Sequence, residues 1–314
     1  MEGVVVSSTG SHYMVESSEG THLCKIRGIF RIKGVKTTNP VAVGDRVDFT
    51  QEGDCGWITA VHERKNCIIR KSVNLSKQTH IIAANIDMAF LVVGITQPRT
   101  PQGFIDRFLA TAEAYRVPVC IVVNKTDLFG AEERDELHEI GAIYTPLGYE
   151  VLATSTVSGE GIDNLHGMMK GKVCLFSGNS GVGKSALIHS LEPDLNIRVG
   201  EISAVHQKGQ HTTTHARMYK LSFGAKIVDT PGIKEFGMVQ FQKDELSRYF
   251  PEMHTLINDC RFNNCTHEHE PGCAVKKAVE DGRISSLRYK SYLNILHGDE
   301  VPLPGLLENK HDRK

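Results

Sequence analysis

The sequence predicts a multidomain chain: a small N-terminal β-barrel, a central parallel α/β sheet, and a mainly helical C-terminal segment built around a metal. Three observations predict it. Residues 1–70 hold short β-prone runs separated by turn signals. From residue 86, near-continuous apolar runs alternate with helical stretches, the pattern of a parallel sheet covered on both faces. After about residue 240 the chain becomes polar and helical and carries one cysteine–histidine cluster. The expected domains are 1–70, 71–238 and 239–314.

In the first segment the runs are Gly3–Ser7, Tyr13–Glu16, His22–Ile26, Arg46–Thr50 and Gly56–Val61. Turns such as Thr9-Gly10, Glu19-Gly20, Val43-Gly44-Asp45 and Glu52-Gly53-Asp54 divide them, and the OB fold is the leading candidate. Between Glu19 and Asp45 there is no acidic residue, and Lys25, Arg27, Arg31, Lys33 and Lys36 surround Phe30. Basic side chains beside an aromatic suit RNA backbone contact and base stacking; a solvated basic strand face is the other open reading. Two more basic stretches follow, Arg64, Lys65, Arg70, Lys71 and Lys77, then Lys276, Lys277, Arg283, Arg288 and Lys290. Net charge is only −1, so these local patches carry the case for a large RNA partner rather than a membrane.

The central strands are expected at Asp87–Gly94, Val117–Asn124, Glu150–Thr154, Lys172–Ser177 and Ala225–Asp229. Helices are expected near Ile105–Tyr115, Ala131–Ile140 and Ile162–Met169, and from Lys184. At the C-terminus Tyr289, Tyr292, Leu293 and Leu296 mark one apolar helix face. The composition, 40% hydrophobic and 23% charged over 314 residues, is that of a globular protein. No apolar run is long enough to span a bilayer, and Met1–Ser8 lacks a signal-peptide pattern, so a cytoplasmic protein is expected. Of eight cysteines, Cys120 and Cys174 lie in apolar strands and are expected in the core, while Cys24, Cys55 and Cys67 have no assigned role.

Gly178-Asn179-Ser180-Gly181-Val182-Gly183-Lys184-Ser185 follows a strand and opens a helix, the context of a phosphate-binding loop. Its glycines let backbone N–H groups turn toward phosphate oxygens, Lys184 reaches the β and γ phosphates, and Ser185 ligates Mg²⁺. Ala186 completes this set. Asp229-Thr230-Pro231-Gly232 ends the next strand; Asp229 suits the outer Mg²⁺ shell and the Gly232 amide the γ-phosphate. Asn124-Lys125-Thr126-Asp127 ends another strand. Asp127 can accept from guanine N1–H and its exocyclic amine, a donor pair that adenine lacks. The Lys125 stem can cover the base, Asn124 can tie loops together, and Thr154-Ser155 falls where a backbone N–H would meet guanine O6. Gly209-Gln210-His211-Thr212-Thr213-Thr214 reads as a switch loop, with Thr213 favoured as the second Mg²⁺ ligand. The guanine motif precedes the phosphate loop, the reverse of the usual order.

Cys260, Cys265, His267 and Cys273 read C-x₄-C-x-H-x₅-C, three thiolates and an imidazole suited to one tetrahedral structural Zn²⁺, with His269 as the alternative ligand. Together these motifs resemble the circularly permuted ribosome small-subunit-dependent GTPases, the RsgA family, also called YjeQ or YloQ. The resemblance covers nearly the whole chain. It implies GTP hydrolysis stimulated by the small ribosomal subunit, contact with its 16S rRNA, and a role late in maturation of that particle. Where many GTPases place a water-orienting Gln after Asp-x-x-Gly, this chain has Ile233, so the free enzyme is expected to be slow. His211 or the ribosome could supply the missing polar group. The rival readings are an RNA-binding module with a structural nucleotide site, and a permuted GTPase for another ribosomal particle. A monomer is the expected state.

Overall fold

The computed structural model describes residues 1–26, 40–71, 79–194, 216–229 and 241–298. The chain divides into two compact units, each assembled from separate stretches. One comprises Met1–Phe90, Ile162–Ser177 and Lys184–Glu235; the other comprises Leu91–Gly161, Gly178–Gly183 and Phe236–Lys314.

The first unit opens with the expected barrel. Strands β1 (Glu2–Ser8), β2 (Tyr13–Ser17), β3 (Gly20–Ile26), β4 (Arg46–Glu52) and β5 (Cys55–Val61) pair in the order β1-β2-β3-β5-β4, and β1 closes against β4. Within it β3 and β5 run parallel and the other pairs antiparallel. Alternation along the strands turns Val5, Tyr13, Val15, Cys24, Val47, Phe49 and Ile58 into a common core, joined by Val41. Asp45 is fully buried there. Its carboxylate accepts from Arg64 Nε at 2.6 Å, Arg64 Nη2 at 2.7 Å and the Ala42 N–H at 2.8 Å. Arg64 also donates to the Pro40 carbonyl at 2.9 Å, so this member of the second basic stretch is a structural residue rather than an RNA contact.

The same unit contains elements the sequence reading did not anticipate. Strands β6 (Cys67–Lys71) and β7 (Thr79–Ala84) form an antiparallel hairpin where only a basic lead-in was expected. Strands β11 (Val173–Ser177) and β13 (Lys226–Asp229) run parallel, as predicted for the central sheet. Between β13 and the barrel lies β12 (Ala216–Lys220), antiparallel to β13 and also to β1 through Ser7↔Arg217 and Ser8↔Ala216. The register sets Lys220 directly opposite Lys226, a repulsive pair. Glu16 of β2 answers both: its carboxylate binds Lys226 at 2.5 Å and lies 3.6 Å from Lys220. Helices α3 (Ile162–Met169) and α4 (Lys184–Leu191) bury Leu165, Met169, Leu187 and Ile188 in this unit.

In the second unit β9 (Val119–Asn124) pairs with the parallel β10 (Glu150–Thr154), and β8 (Met88–Val93) belongs to this unit from Leu91 on. Every residue of β9 is buried, as the unbroken apolar run required. Cys120 is fully buried, as is Cys174 on β11, in line with the expectation for both. Helices α1 (Gln102–Tyr115) and α2 (Ala131–Tyr144) accompany these strands. The C-terminal part adds α5 (Pro251–His254), α6 (Ala274–Glu280) and α7 (Ser286–His297). Tyr292, Ile295 and Leu296 of α7 enter a core with Phe250, Met253, Val275, Ala278 and Ala110 of α1, and Tyr289 and Leu293 pack beside it. Arg288 crosses that core at 1% exposure, bonded to Asp106 of α1 at 2.7 Å and to both oxygens of Glu252 at 2.8 and 3.0 Å. The Phe250 and Tyr144 rings lie 4.7 and 5.6 Å from its guanidinium. Arg288, assigned from sequence to the third basic patch, is therefore not available to RNA.

Candidate nucleotide and metal sites

The guanine motif sits where β9 ends. Lys125 takes a left-handed backbone with φ 70°, Thr126–Leu128 form one 3₁₀ turn, and the Leu128 N–H closes onto the Lys125 carbonyl at 3.0 Å. Thr154 stands opposite Asn124 in the β9–β10 register. Its hydroxyl donates to Asn124 Oδ1 at 3.0 Å, and Asn124 Nδ2 donates to the Val182 carbonyl of the phosphate loop at 2.9 Å. Asn124 thus ties the guanine motif to Gly178–Gly183, the linking role its sequence position suggested. Gly183 has φ 101°, and a Cβ there would strike Asn124 Nδ2, so glycine is required both by conformation and by this close approach. Lys125 Nζ donates to the Gln97 carbonyl at 2.5 Å.

Ser155 has two tasks. Its hydroxyl donates to Asp127 Oδ1 at 2.5 Å and accepts the Val157 and Ser158 N–H groups, both at 3.1 Å. Its own N–H goes to the Glu160 carbonyl at 3.0 Å and is not directed at a base. Among the described hydrogen bonds, the amide of the next residue, Thr156, has no partner, and Thr156 is exposed. Sequence reasoning missed Glu160 and Thr156, since neither belongs to the motif that was sought.

In the other unit Lys184 and Ser185 open α4, with Lys184 8% exposed and Ser185 half-buried, and Asp229 ends β13. Gly232, His211 and Thr213 lie outside the described residues, as do Arg27, Phe30, Arg31, Lys33 and Lys36. Lys25, on β3, is exposed.

The four expected metal ligands converge: the ligand atoms of Cys260, Cys265, His267 and Cys273 all lie within 4.8 Å of one another. His267 Nδ1 faces the sulfurs of Cys260 and Cys273 at 3.5 and 3.4 Å, so Nδ1 is the nitrogen placed to join them on a metal. Burial, followed by the neighbouring Cys273 and Cys260, pushes the Cys265 thiol up to about 12. A divalent cation would stabilise thiolates brought this close together. His267 itself has φ 61° and is 1% exposed. Its loop is held by Glu270, whose carboxylate accepts from Thr266 N–H (2.8 Å), Thr266 Oγ1 (2.7 Å), Glu268 N–H (3.1 Å) and His269 N–H (3.2 Å). Partial burial opposes ionisation of Glu270, but these bonds outweigh it and hold the carboxyl at about 2. From α7, Tyr289 donates to the His267 carbonyl at 2.6 Å and Tyr292 to the Thr266 carbonyl at 2.7 Å. His269 pairs instead with Glu268 at 3.1 Å.

Comparison with known proteins agrees with this geometry. The family model described as RsgA GTPase matches residues 61–239, and that described as RsgA N-terminal domain matches residues 2–58. The small ribosomal subunit biogenesis GTPase RsgA of Flavobacterium psychrophilum is 52% identical over 305 residues, covering 96% of this chain and 94% of that protein. Its namesake in Bacteroides fragilis is 50% identical over 303 residues, covering 96% and 97%. Among solved structures, YjeQ from Thermotoga maritima superposes with a TM-score of 0.78 at 36% identity, covering 95% of this chain and 97% of that one. YloQ, titled a circularly permuted GTPase, gives a TM-score of 0.72 at 28% identity, covering 95% and 94%.

Proposed function

The chain belongs to the RsgA GTPase family and is a GTP hydrolase with the circularly permuted fold, and from that premise we propose that it serves the small ribosomal subunit. On this reading it binds that particle through 16S rRNA late in maturation and hydrolyses GTP to GDP and phosphate at a rate the particle raises. The observation that carries it is the bonding of the guanine motif to the phosphate loop through Asn124, in a chain 52% identical to a small-subunit biogenesis GTPase.

The residue roles follow. Asp127 accepts from guanine N1–H and the exocyclic amine, with Ser155 holding one carboxylate oxygen in place. Because the Ser155 amide is spent on Glu160, the donor for guanine O6 moves one residue on, to Thr156. The Lys125 stem covers the base. Amides of Gly178–Gly183 and the start of α4 meet the phosphates, with Lys184 on the β and γ groups. Ser185 and Thr213 would hold Mg²⁺ with Asp229 behind them, and that ion supplies charge neutralisation to the transferring phosphate. Gly232 meets the γ-phosphate. His211, near Thr213 in sequence, orients the water that Ile233 cannot. One structural Zn²⁺ on Cys260, Cys265, His267 and Cys273 holds the C-terminal loop. Lys25 on β3 and, after it in the sequence, Arg27, Phe30, Arg31, Lys33 and Lys36 contact the RNA. The protein acts as a cytoplasmic monomer; among the described residues no helix is long and apolar enough to cross a membrane.

Co-sedimentation tests the partner. With a non-hydrolysable GTP analogue the chain should pellet with isolated small subunits and stay in the supernatant with large ones. Pelleting with large subunits alone would contradict the reading.

A further inference from the structure

None of the nucleotide roles above employs the Glu160 side chain, yet this residue joins both loops of the guanine site. Its Oε2 accepts from Thr126 Oγ1 at 2.5 Å, its carbonyl accepts the Ser155 N–H at 3.0 Å, and its own N–H donates to Ser158 Oγ at 3.4 Å. Thr126 is 2% exposed, so its hydroxyl must find its partner within the protein. That hydroxyl has one proton and two acceptors in reach, the Thr154 carbonyl at 3.3 Å and the closer Glu160 carboxylate. Gly161 follows with φ 70°, where a Cβ would strike the Ala153 carbonyl. The chain can therefore turn back against β10 at this point only with glycine, and the turn leaves Glu160 facing Thr126.

Thr126 matters because of its neighbours. Lys125, just before it, holds a left-handed conformation that side chains disfavour, and such a conformation persists only where its flanks fix it. Lys125 Nζ on the Gln97 carbonyl fixes one flank, and Thr126 on Glu160 fixes the other. Asp127 comes next in the same 3₁₀ turn.

We propose that Glu160 is a positioning residue for guanine selectivity. Its carboxylate anchors Thr126 and so aims Asp127, and its carbonyl takes the Ser155 N–H, so that Thr156 offers the loop's outward donor. This rests on the guanine-binding reading of the site.

The test is equilibrium binding of GDP, inosine diphosphate and ADP to the full-length protein, with turnover at saturating GTP. Inosine lacks the exocyclic amine, so the GDP-to-inosine-diphosphate ratio reports the aim of Asp127. Glu160→Ala should weaken GDP binding about fivefold, the worth of one such hydrogen bond, and lower that ratio while leaving kcat unchanged. Thr126→Val should likewise weaken GDP binding and lower that ratio, and the double variant should be no worse than either single one. Glu160→Gln, which keeps an acceptor oxygen, should bind GDP like the parent. A loose or partly unfolded protein would lose affinity for all three nucleotides together and leave the ratio fixed. An unchanged ratio in Glu160→Ala, or additive losses in the double variant, would overturn the role of Glu160 while the parent's preference for GDP over ADP stands. A parent that binds GDP and ADP alike would overturn the guanine reading itself, and this inference with it.

Discussion

Arg288 and Lys290 stand two residues apart on one helix, and only Lys290 faces water. Sequence shows that both are cationic; it does not show that Arg288 has Asp106 and Glu252 as buried partners 182 and 36 residues away. The same holds for Arg64 and buried Asp45. A basic patch read from sequence therefore overstates the surface charge, because a long-range carboxylate can claim any member of it. Removing one partner of a buried network leaves the others charged and unpaired. Arg288→Ala should cost about 3–5 kcal/mol in urea unfolding, whereas replacing Arg288, Asp106 and Glu252 together by apolar residues should recover most of that loss. The members of the Cys/His cluster were legible individually, since three Cys and one His suit a tetrahedral metal and the family pattern matches all four positions. Glu270 was not, because a carboxylate that only accepts loop amides has no motif. Glu270→Ala should loosen zinc about 10–100-fold in competition with a chelator, although every ligand remains. Unchanged retention would show that the ligands alone shape the loop.

The elements that sequence revealed are those with a strong period. The alternating strands of the barrel and the fully buried β9, apolar from Val119 to Val123, declared themselves through which faces they bury. Strand β12, Ala-Arg-Met-Tyr-Lys, has a single buried residue, Met218, and its identity as a strand comes from pairing with β13 on one side and β1 on the other. No local pattern encodes that. The hairpin of β6 and β7 was hidden in the same way, as two short strands whose ladder, among the described residues, is with each other, joined by a single bridge from Ala83 to Val43. Glu16 gives the β12 junction a pH signature. Its hydrogen bond to Lys226 outweighs its burial and holds its carboxyl below the ordinary 4.5. The folded value lies under the unfolded one, so the stabilisation is complete above pH 4.5 and disappears as pH falls through the folded value. Glu16→Gln should be less stable than the parent by up to about 1 kcal/mol near neutrality, and the gap should close as urea titrations are taken to lower pH. A gap independent of pH would assign the loss to packing instead.

For the whole molecule, the inverted motif order leaves the chemistry of the nucleotide motifs intact and changes what is attached to them. The guanine motif and Gly178–Gly183 share one compact unit with the metal-binding C-terminal segment, and Lys184 and Asp229 share the other with the barrel. The order of motifs was legible in sequence, because each motif is local. This grouping was not, because it depends on contacts such as Arg288 with Asp106 and Ser7 with Arg217. We propose that the small ribosomal subunit governs GTP hydrolysis by this chain. This is tested most directly by steady-state GTP turnover measured alone, with isolated small subunits, and with isolated large subunits, using ATP as the control. Turnover should be slow alone, because Ile233 cannot orient water, should rise at least about tenfold with small subunits, and should show no response to large subunits or with ATP. Stimulation by large subunits only, or no GTP hydrolysis under any of these conditions, would contradict the proposal.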